Sequence, residues 1–322
     1  MSPEARRKRT RMAMIVLALL ALTASIAFMT LGARGNWSFI IPFRGAKLLG
    51  LVLVAYSIAV STVLFQTITG NRILTPSIMG FDSLYILIQT VLVFFVGASR
   101  ISAANPHILF ALEVSVLVVF AGLLYRWLVS GAVRSLHLLM LVGIIFGILF
   151  RSTASFLQRV IDPSEFLVLQ DRLFASFNSI DSTLLGLSVV MVMAVSLAVM
   201  RMLPVFDVLA LGRENAIVLG VEHRRVVTLG LGMITLLVAV STALVGPVTF
   251  FGLLVANLAY LLLPASRHAI LLPAAALIAI ALLVGGQVVL ERVFGLDAAL
   301  SMIIEFIGGI FFILLVVRGA AR

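Results

Sequence analysis

Three carboxylates, Asp82, Glu113 and Glu305, lie inside long apolar stretches of this chain. An acid is costly in hydrocarbon, and carriers driven by protons or sodium ions use such groups to hold the coupling ion. Each also has a structural alternative. Asp82 follows Gly80 where a helix can start, a place that favours a carboxylate, and Glu113 has a candidate ion-pair partner in Arg151. The histidines, His107, His137, His223 and His268, are scattered without HxH or HxxxH pairing, and cysteine is absent. No metal site and no disulfide framework are therefore expected. The lysines, Lys8 and Lys47, stand outside any GxxxxGK[ST] context, so the chain has no phosphate-binding loop and cannot hydrolyse ATP by itself. GxSxG and HExxH arrangements are missing too. The chemistry points to transport by a chain that is not an enzyme and holds no cofactor of its own.

The elements carrying these residues are membrane helices. With 62% hydrophobic residues and a mean hydropathy of +1.24, 322 residues could not present a polar surface to water. Apolar runs near 20 residues, each about 30 Å long as a helix, match the hydrocarbon thickness. Ten spans are predicted: Met12–Leu31, Leu48–Ile68, Ile78–Val96, Ile108–Trp127, Leu136–Leu157, Leu184–Leu203, Val226–Val245, Val248–Leu263, Ile270–Leu290 and Ser301–Val317. The chain reads as one all-α polytopic domain over residues 1–322. Gly246-Pro247 separates the seventh and eighth spans, where a proline without an N–H and a permissive glycine break the helix.

Charge fixes the expected orientation. Placing the N-terminus in the cytoplasm puts 15 of the 23 Lys and Arg residues on that side, including the run Arg6–Arg11, so both termini are expected to be cytoplasmic. The apolar stretch after that run is too long for a secretory signal and lacks a clean cleavage site, which makes it an uncleaved first helix anchored by residues 1–11. The net charge of +10 is explained by membrane topology, and no basic run interleaved with aromatics suggests nucleic acid.

One polar connection stands out, Pro204–Arg225, with Asp207, Arg213, Glu214, Glu222, His223, Arg224 and Arg225. Asp207 is expected to cap a short helix Val208–Leu211 ended by Gly212, and Arg213–Leu219 a second ended by a left-handed Gly220. Val208, Leu209, Leu211, Ile217, Val218 and Leu219 would give these helices a greasy side, with Arg213, Glu214 and Asn215 facing away. Such a pair suits a docking surface for a partner at the inner membrane face. On the other side, the connection near Gln158–Thr183 is expected to include a short helix.

The segment Ala210–Arg225, ALGRENAIVLGVEHRR, resembles the cytoplasmic coupling loop of the iron-siderophore and cobalamin permease family, the membrane subunits of type II ABC importers. Gly246–Leu258, GPVTFFGLLVANL, and Asn71–Ser83, NRILTPSIMGFDS, resemble two further segments of that family, in the same order along a ten-span chain. Departures occur at Arg72, Asn257 and Leu296-Asp297, and together with IIEFIGGIFF they resemble the branch handling ferric catecholate-type siderophores. Cobalamin is correspondingly less favoured as cargo.

The resemblance implies a mechanism and partners. Two permease subunits, alike or different, would enclose a path for a ferric siderophore across the bacterial inner membrane. An extracytoplasmic siderophore-binding protein would deliver it, and two ABC ATPase subunits carrying ATP and Mg would dock below. By resemblance, Asp207, Gly212, Arg213, Glu214, Asn215, Ala216, Gly220, Val221 and Glu222 belong to the ATPase-coupling loop. Arg44, Lys47 and Arg292 match positions that dock the binding protein, and Pro76, Gly246, Pro247 and Gly252 match helix breaks or gating positions. The alternative from another class is a self-contained ion-coupled carrier using Asp82, Glu113 or Glu305.

Overall fold

The computed structural model describes residues 3–32, 37–130, 136–173, 177, 181–263, 267–292 and 300–317, and the regular structure among them is helical. In chain order the helices are α1 (Pro3–Thr30), α2 (Trp37–Thr69), α3 (Phe81–Val96), α4 (Ala98–Ala103), α5 (Pro106–Ser130), α6 (Leu136–Gln158) and α7 (Pro163–Leu173). They continue as α8 (Ser182–Leu209), α9 (Arg213–Val218), α10 (His223–Val245), α11 (Phe251–Leu262), α12 (His268–Arg292) and α13 (Leu300–Val317), and a 3₁₀ turn at Pro76–Met79 precedes α3. Seven of them, α1, α2, α5, α6, α8, α10 and α12, are long and apolar enough to cross a membrane, and α3, α11 and α13 are shorter apolar helices. These ten fall on the ten predicted spans. The short α7 lies in the connection where such a helix was expected, although residues 174–176 and 178–180 of that connection, like Leu296-Asp297, lie outside the described residues.

α2 and α10 form the buried centre, with Leu51, Ala55, Val63 and Leu64 facing Ile234, Leu237, Ala239 and Val240 in the core. The outer helices leave Leu19, Ile26 and Leu197 exposed, as a lipid-facing surface requires. Lipid tails are as apolar as leucine, so helices associate here by close packing rather than by hydrophobic expulsion, and small residues mark the closest approaches. A Cβ on Gly143 of α6 would sit 2.9 Å from the Met79 Cα, and one on Gly147 3.3 Å from the Gly80 Cα. A Cβ on Gly252 would run into the Thr62 hydroxyl, and one on Gly308 would lie 2.8 Å from the Phe250 Cβ. A Cβ on Gly230 would lie 2.7 Å from the Ile68 Cδ1, whereas one on nearby Gly232 or on Gly309 would meet nothing within 4 Å.

Polar side chains tie the ends. The Arg44 guanidinium donates to the carbonyls of Phe28, Met29, Leu31 and Gly32 at 2.9–3.2 Å, closing the C-terminus of α1. Lys47 pairs with Glu291, joining α2 to α12. Asp181 caps α8, accepting from the Thr183 N–H at 2.7 Å, and the Thr183 hydroxyl and backbone N–H hold its carboxyl below the usual carboxylate range. The contribution of this cap is present above the ordinary carboxylate pKa and lost as pH falls through the lowered value.

One prediction from sequence is corrected. The sixth span does not stop at Leu203, and no separate helix Val208–Leu211 exists: α8 runs through Pro204 to Leu209. A proline ring strains an isolated helix, but here buried Phe206 and Leu209 dock the last turn onto the core and outweigh that cost.

Gly143→Leu should force α6 away from the Met79 backbone and cost about 1–3 kcal/mol, as overpacking does. A lowered melting temperature of the purified protein would register it, while Gly122→Ala, inside α5 where a Cβ meets nothing within 4 Å, should melt no lower than the parent.

Candidate functional site

At one end of the bundle the chain turns from α8 through α9 into α10. Gly212, at φ +95°, starts α9, and its carbonyl accepts from the Ala216 N–H at 3.0 Å. The helix ends in a left-handed glycine motif: the Gly220 N–H bonds the Ile217 carbonyl and the Val221 N–H the Ala216 carbonyl, each at 3.0 Å, with Gly220 at φ +84°. Asn215 adds a bond from Nδ2 to the Leu211 carbonyl at 2.7 Å. Backbone and short side chains thus define the elbow without burying it. Ala216 is its one buried residue, whereas Leu211, Ile217, Val218 and Leu219 are exposed beside Arg213, Glu214 and Glu222. Of the apolar residues expected to form a greasy side, Leu209 is buried and Val208 half-buried at the end of α8, while the other four are exposed.

Asp207 stands apart from this elbow, inside α8. Its Oδ1 accepts from both the backbone N–H and the Nδ1 of His268 at 2.7 Å, and the Nε2 of His268 lies 2.7 Å from the Thr67 hydroxyl. The pair fastens the root of the elbow to the first residue of α12 and to α2. The expected role of Asp207 as a helix cap within the loop is therefore corrected to a strap between three long helices. Sequence reasoning missed His268, a lone histidine at the start of an apolar run.

The middle of the bundle holds two interruptions. α10 ends at Val245, Gly246 adopts φ +98° and donates to the Thr242 carbonyl at 2.7 Å, and α11 begins at Phe251. Residues 75–80 form the second, where Gly80 sits at φ +89° between the 3₁₀ turn and α3. They meet: the Thr249 hydroxyl donates to Asp82 Oδ2 at 2.8 Å and lies 3.4 Å from Glu305 Oε1. A small cavity of about 20 Å³ between them is lined by Ser61, Thr62, Thr75, Ser77, Ser241 and Thr242, a polar space of the size of one water. Pro76, Gly246 and Gly252 line this cavity, and Pro247 lies in the break between α10 and α11. Thr249, its central residue, was quoted in the sequence pattern but not singled out.

Beside it opens a groove of about 740 Å³ between the 75–80 interruption and one face of α6. Arg151, Ser152 and Ser155 of α6, with Arg159 in the turn just after it, face Ser77 and Asp82 across it. Arg151 therefore does not pair with Glu113, which accepts instead from Gln89 Nε2 at 2.7 Å in a buried bond. Near the elbow end, Gln66 and Asn257 both donate to the Arg72 carbonyl, at 2.7 and 3.3 Å, and the Arg72 guanidinium lies over the Tyr260 ring at 4.6 Å. Arg72 and Asn257, two departures from the family pattern, thus form one contact.

The three basic residues expected to face a docking protein divide. Arg44 and Lys47 are half-buried and engaged as described, and Arg292 is exposed, with its guanidinium against Gly32. Among the described residues no three His, Asp or Glu side chains gather as metal ligands.

The sequence profile of the FecCD transport family matches residues 8–318. This chain belongs to that family. It is 45% identical over 304 residues to the petrobactin import system permease protein YclO of Bacillus subtilis, covering 93% of this chain and 96% of the relative. The petrobactin import system permease protein FatC of Bacillus anthracis is 37% identical over 282 residues, covering 88% and 80%. The vitamin B12 import system permease protein BtuC of Vibrio cholerae is 27% identical over 289 residues, covering 88% and 82%. Among solved structures, a metal-chelate type ABC transporter in an inward-facing conformation superposes with a TM-score of 0.83 at 23% identity, covering 96% of this chain and 99% of the other, which shows a shared fold. The elbow, the two interruptions and the α6 groove are thus features of a FecCD bundle.

Asp207→Ala in this FecCD chain should leave the His268 N–H groups without their acceptor and destabilise by about 1–3 kcal/mol, whereas Asp207→Asn keeps one acceptor oxygen and part of the loss is spared. Thermal melting of the two variants checks this. Equal melting of Asp207→Ala and the parent would show that the strap carries no weight.

Proposed function

We propose that this chain is the membrane-spanning permease subunit of an ATP-driven importer that carries a ferric siderophore, of the catecholate type, across the bacterial cytoplasmic membrane. The observation that carries the reading is the 45% identity, over nearly the whole of both chains, to a petrobactin import permease. The whole of residues 1–322 serves as one permease domain, with both termini and the elbow in the cytoplasm.

The geometry supports a division of labour. The elbow offers Leu211, Ile217, Val218 and Leu219 with Arg213 and Glu214 alongside, an exposed apolar patch with charge at its rim, as a partner interface requires. Two ATPase subunits, holding ATP and Mg, grip this patch and its counterpart on a second permease. Nucleotide binding can drive the gate only if the two states differ in contact energy, so α9 must stay with the ATPase while the long helices tilt. A siderophore-binding protein docks at the opposite end. Arg292 is the basic residue there that contributes to steering, while Arg44 and Lys47 hold α1 and α12 in place. The carrier alternative is not favoured: Asp82 and Glu305 meet Thr249, and Glu113 meets Gln89, which gives each acid a structural partner.

Exchanging the elbow charges, Arg213→Glu with Glu214→Arg, should release the ATPase and reduce ATP-driven uptake of ferric chelate about tenfold or more, since interface anchors carry that scale of energy. Co-purification of the ATPase and uptake by vesicles are the readouts. Unchanged uptake with both residues exchanged would overturn the assignment of the elbow.

A further inference from the structure

Resting on the importer reading, we infer that Arg151 and Arg159 form a cationic station in the α6 groove, and that the cargo admitted there is a net-anionic, oxygen-rich ferric chelate. Arg151 and Ser155 fall four residues apart on one face of α6, and Arg159 follows in the turn just beyond its end, lining the same groove. Both arginines are exposed, and the surface of α6 is mostly uncovered. A guanidinium two turns inside an apolar helix is expensive against lipid, so this face serves a watered path.

The groove is lined by two arginines and one acid. Among the described residues neither Arg151 nor Arg159 forms a salt bridge. The acid that lines the groove, Asp82, is buried and gives Oδ2 to the Thr249 hydroxyl at 2.8 Å, acting on Arg151 through space. Glu305 approaches Thr249 from behind and does not line the groove. The guanidinium groups are thus left to face the cavity. A planar fork of N–H donors matches paired oxygens, and the hydroxyls of Ser152 and Ser155 add donors between the two forks. Ile144, Ile148 and Phe156 supply apolar wall against which an aromatic ring of the chelate can lie. The volume of about 740 Å³ suits a compact chelate rather than a bare ion.

The test uses the full complex of permease, ATPase and binding protein in proteoliposomes, with radioactive iron supplied as its tris-catecholate, a trianion. Arg151→Gln with Arg159→Gln should lower ATP-driven uptake about tenfold or more, the scale of two lost charge-assisted contacts. Arg151→Lys with Arg159→Lys should keep most of it. Co-purification of the ATPase and affinity for the binding protein report whether each variant assembles, and Arg159→Gln alone, at the mouth of the groove, should give a partial loss if the double variant folds poorly. Uptake by the Gln variant within twofold of the parent would overturn the inference while leaving the importer reading intact. Equal losses in the Lys and Gln variants would overturn it as well, because shape and not charge would then be at work. No ATP-driven uptake of any ferric chelate by the parent complex would remove the importer reading and the inference with it.

Discussion

Hydrocarbon offers no partner to a broken backbone, so a membrane chain can leave the helix only where protein or enclosed water completes its hydrogen bonds. This chain leaves it twice within the bundle, at residues 75–80 and 246–250, and puts the two breaks against each other. Gly80 and Gly246 take left-handed φ values that other residues resist, their N–H groups find carbonyls within the same turn, and Thr249 bridges to Asp82. Gly143 and Gly147 let α6 come against the first break closely enough to make a groove there. The groove therefore lies beside the breaks in the helices.

The same constraint explains how a signal from the elbow can arrive. α10 spans 23 residues from His223 to Val245, roughly 35 Å of unbroken helix between the elbow and the second break. Its interior positions are buried in the core that it shares with α2. Asp207, His268 and Thr67 bind the other limb of the elbow to α12 and α2. A partner holding α9 therefore acts on three long helices at once.

Much of this was legible beforehand, because span length, Gly-Pro breaks and the glycine stops of α9 are local signals. The ten spans, the break at Gly246-Pro247 and the left-handed Gly220 follow from neighbours in sequence. What escaped depends on residues far apart in the chain. Asp207 precedes a plausible short helix and looks like a cap, yet its partner lies 61 residues on at His268. Arg44 and Lys47 read as surface charges until the end of α1 and Glu291 are brought to them. Thr249 is unremarkable in the sequence and Arg151 reads as a partner for Glu113, since a single hydroxyl or arginine acquires meaning only from what faces it. The run through Pro204 shows tertiary packing overriding a local breaker.

The central claim is that the gate is worked by an engine on another chain. Proteoliposomes holding this chain and its second permease, with and without the ATPase and binding protein, allow ferric chelate uptake to be driven either by ATP or by an imposed proton or sodium gradient. The account predicts uptake with ATP in the full complex, with gradients collapsed by ionophore, and none from gradients alone. Gradient-driven accumulation by the permease without its ATPase would contradict it.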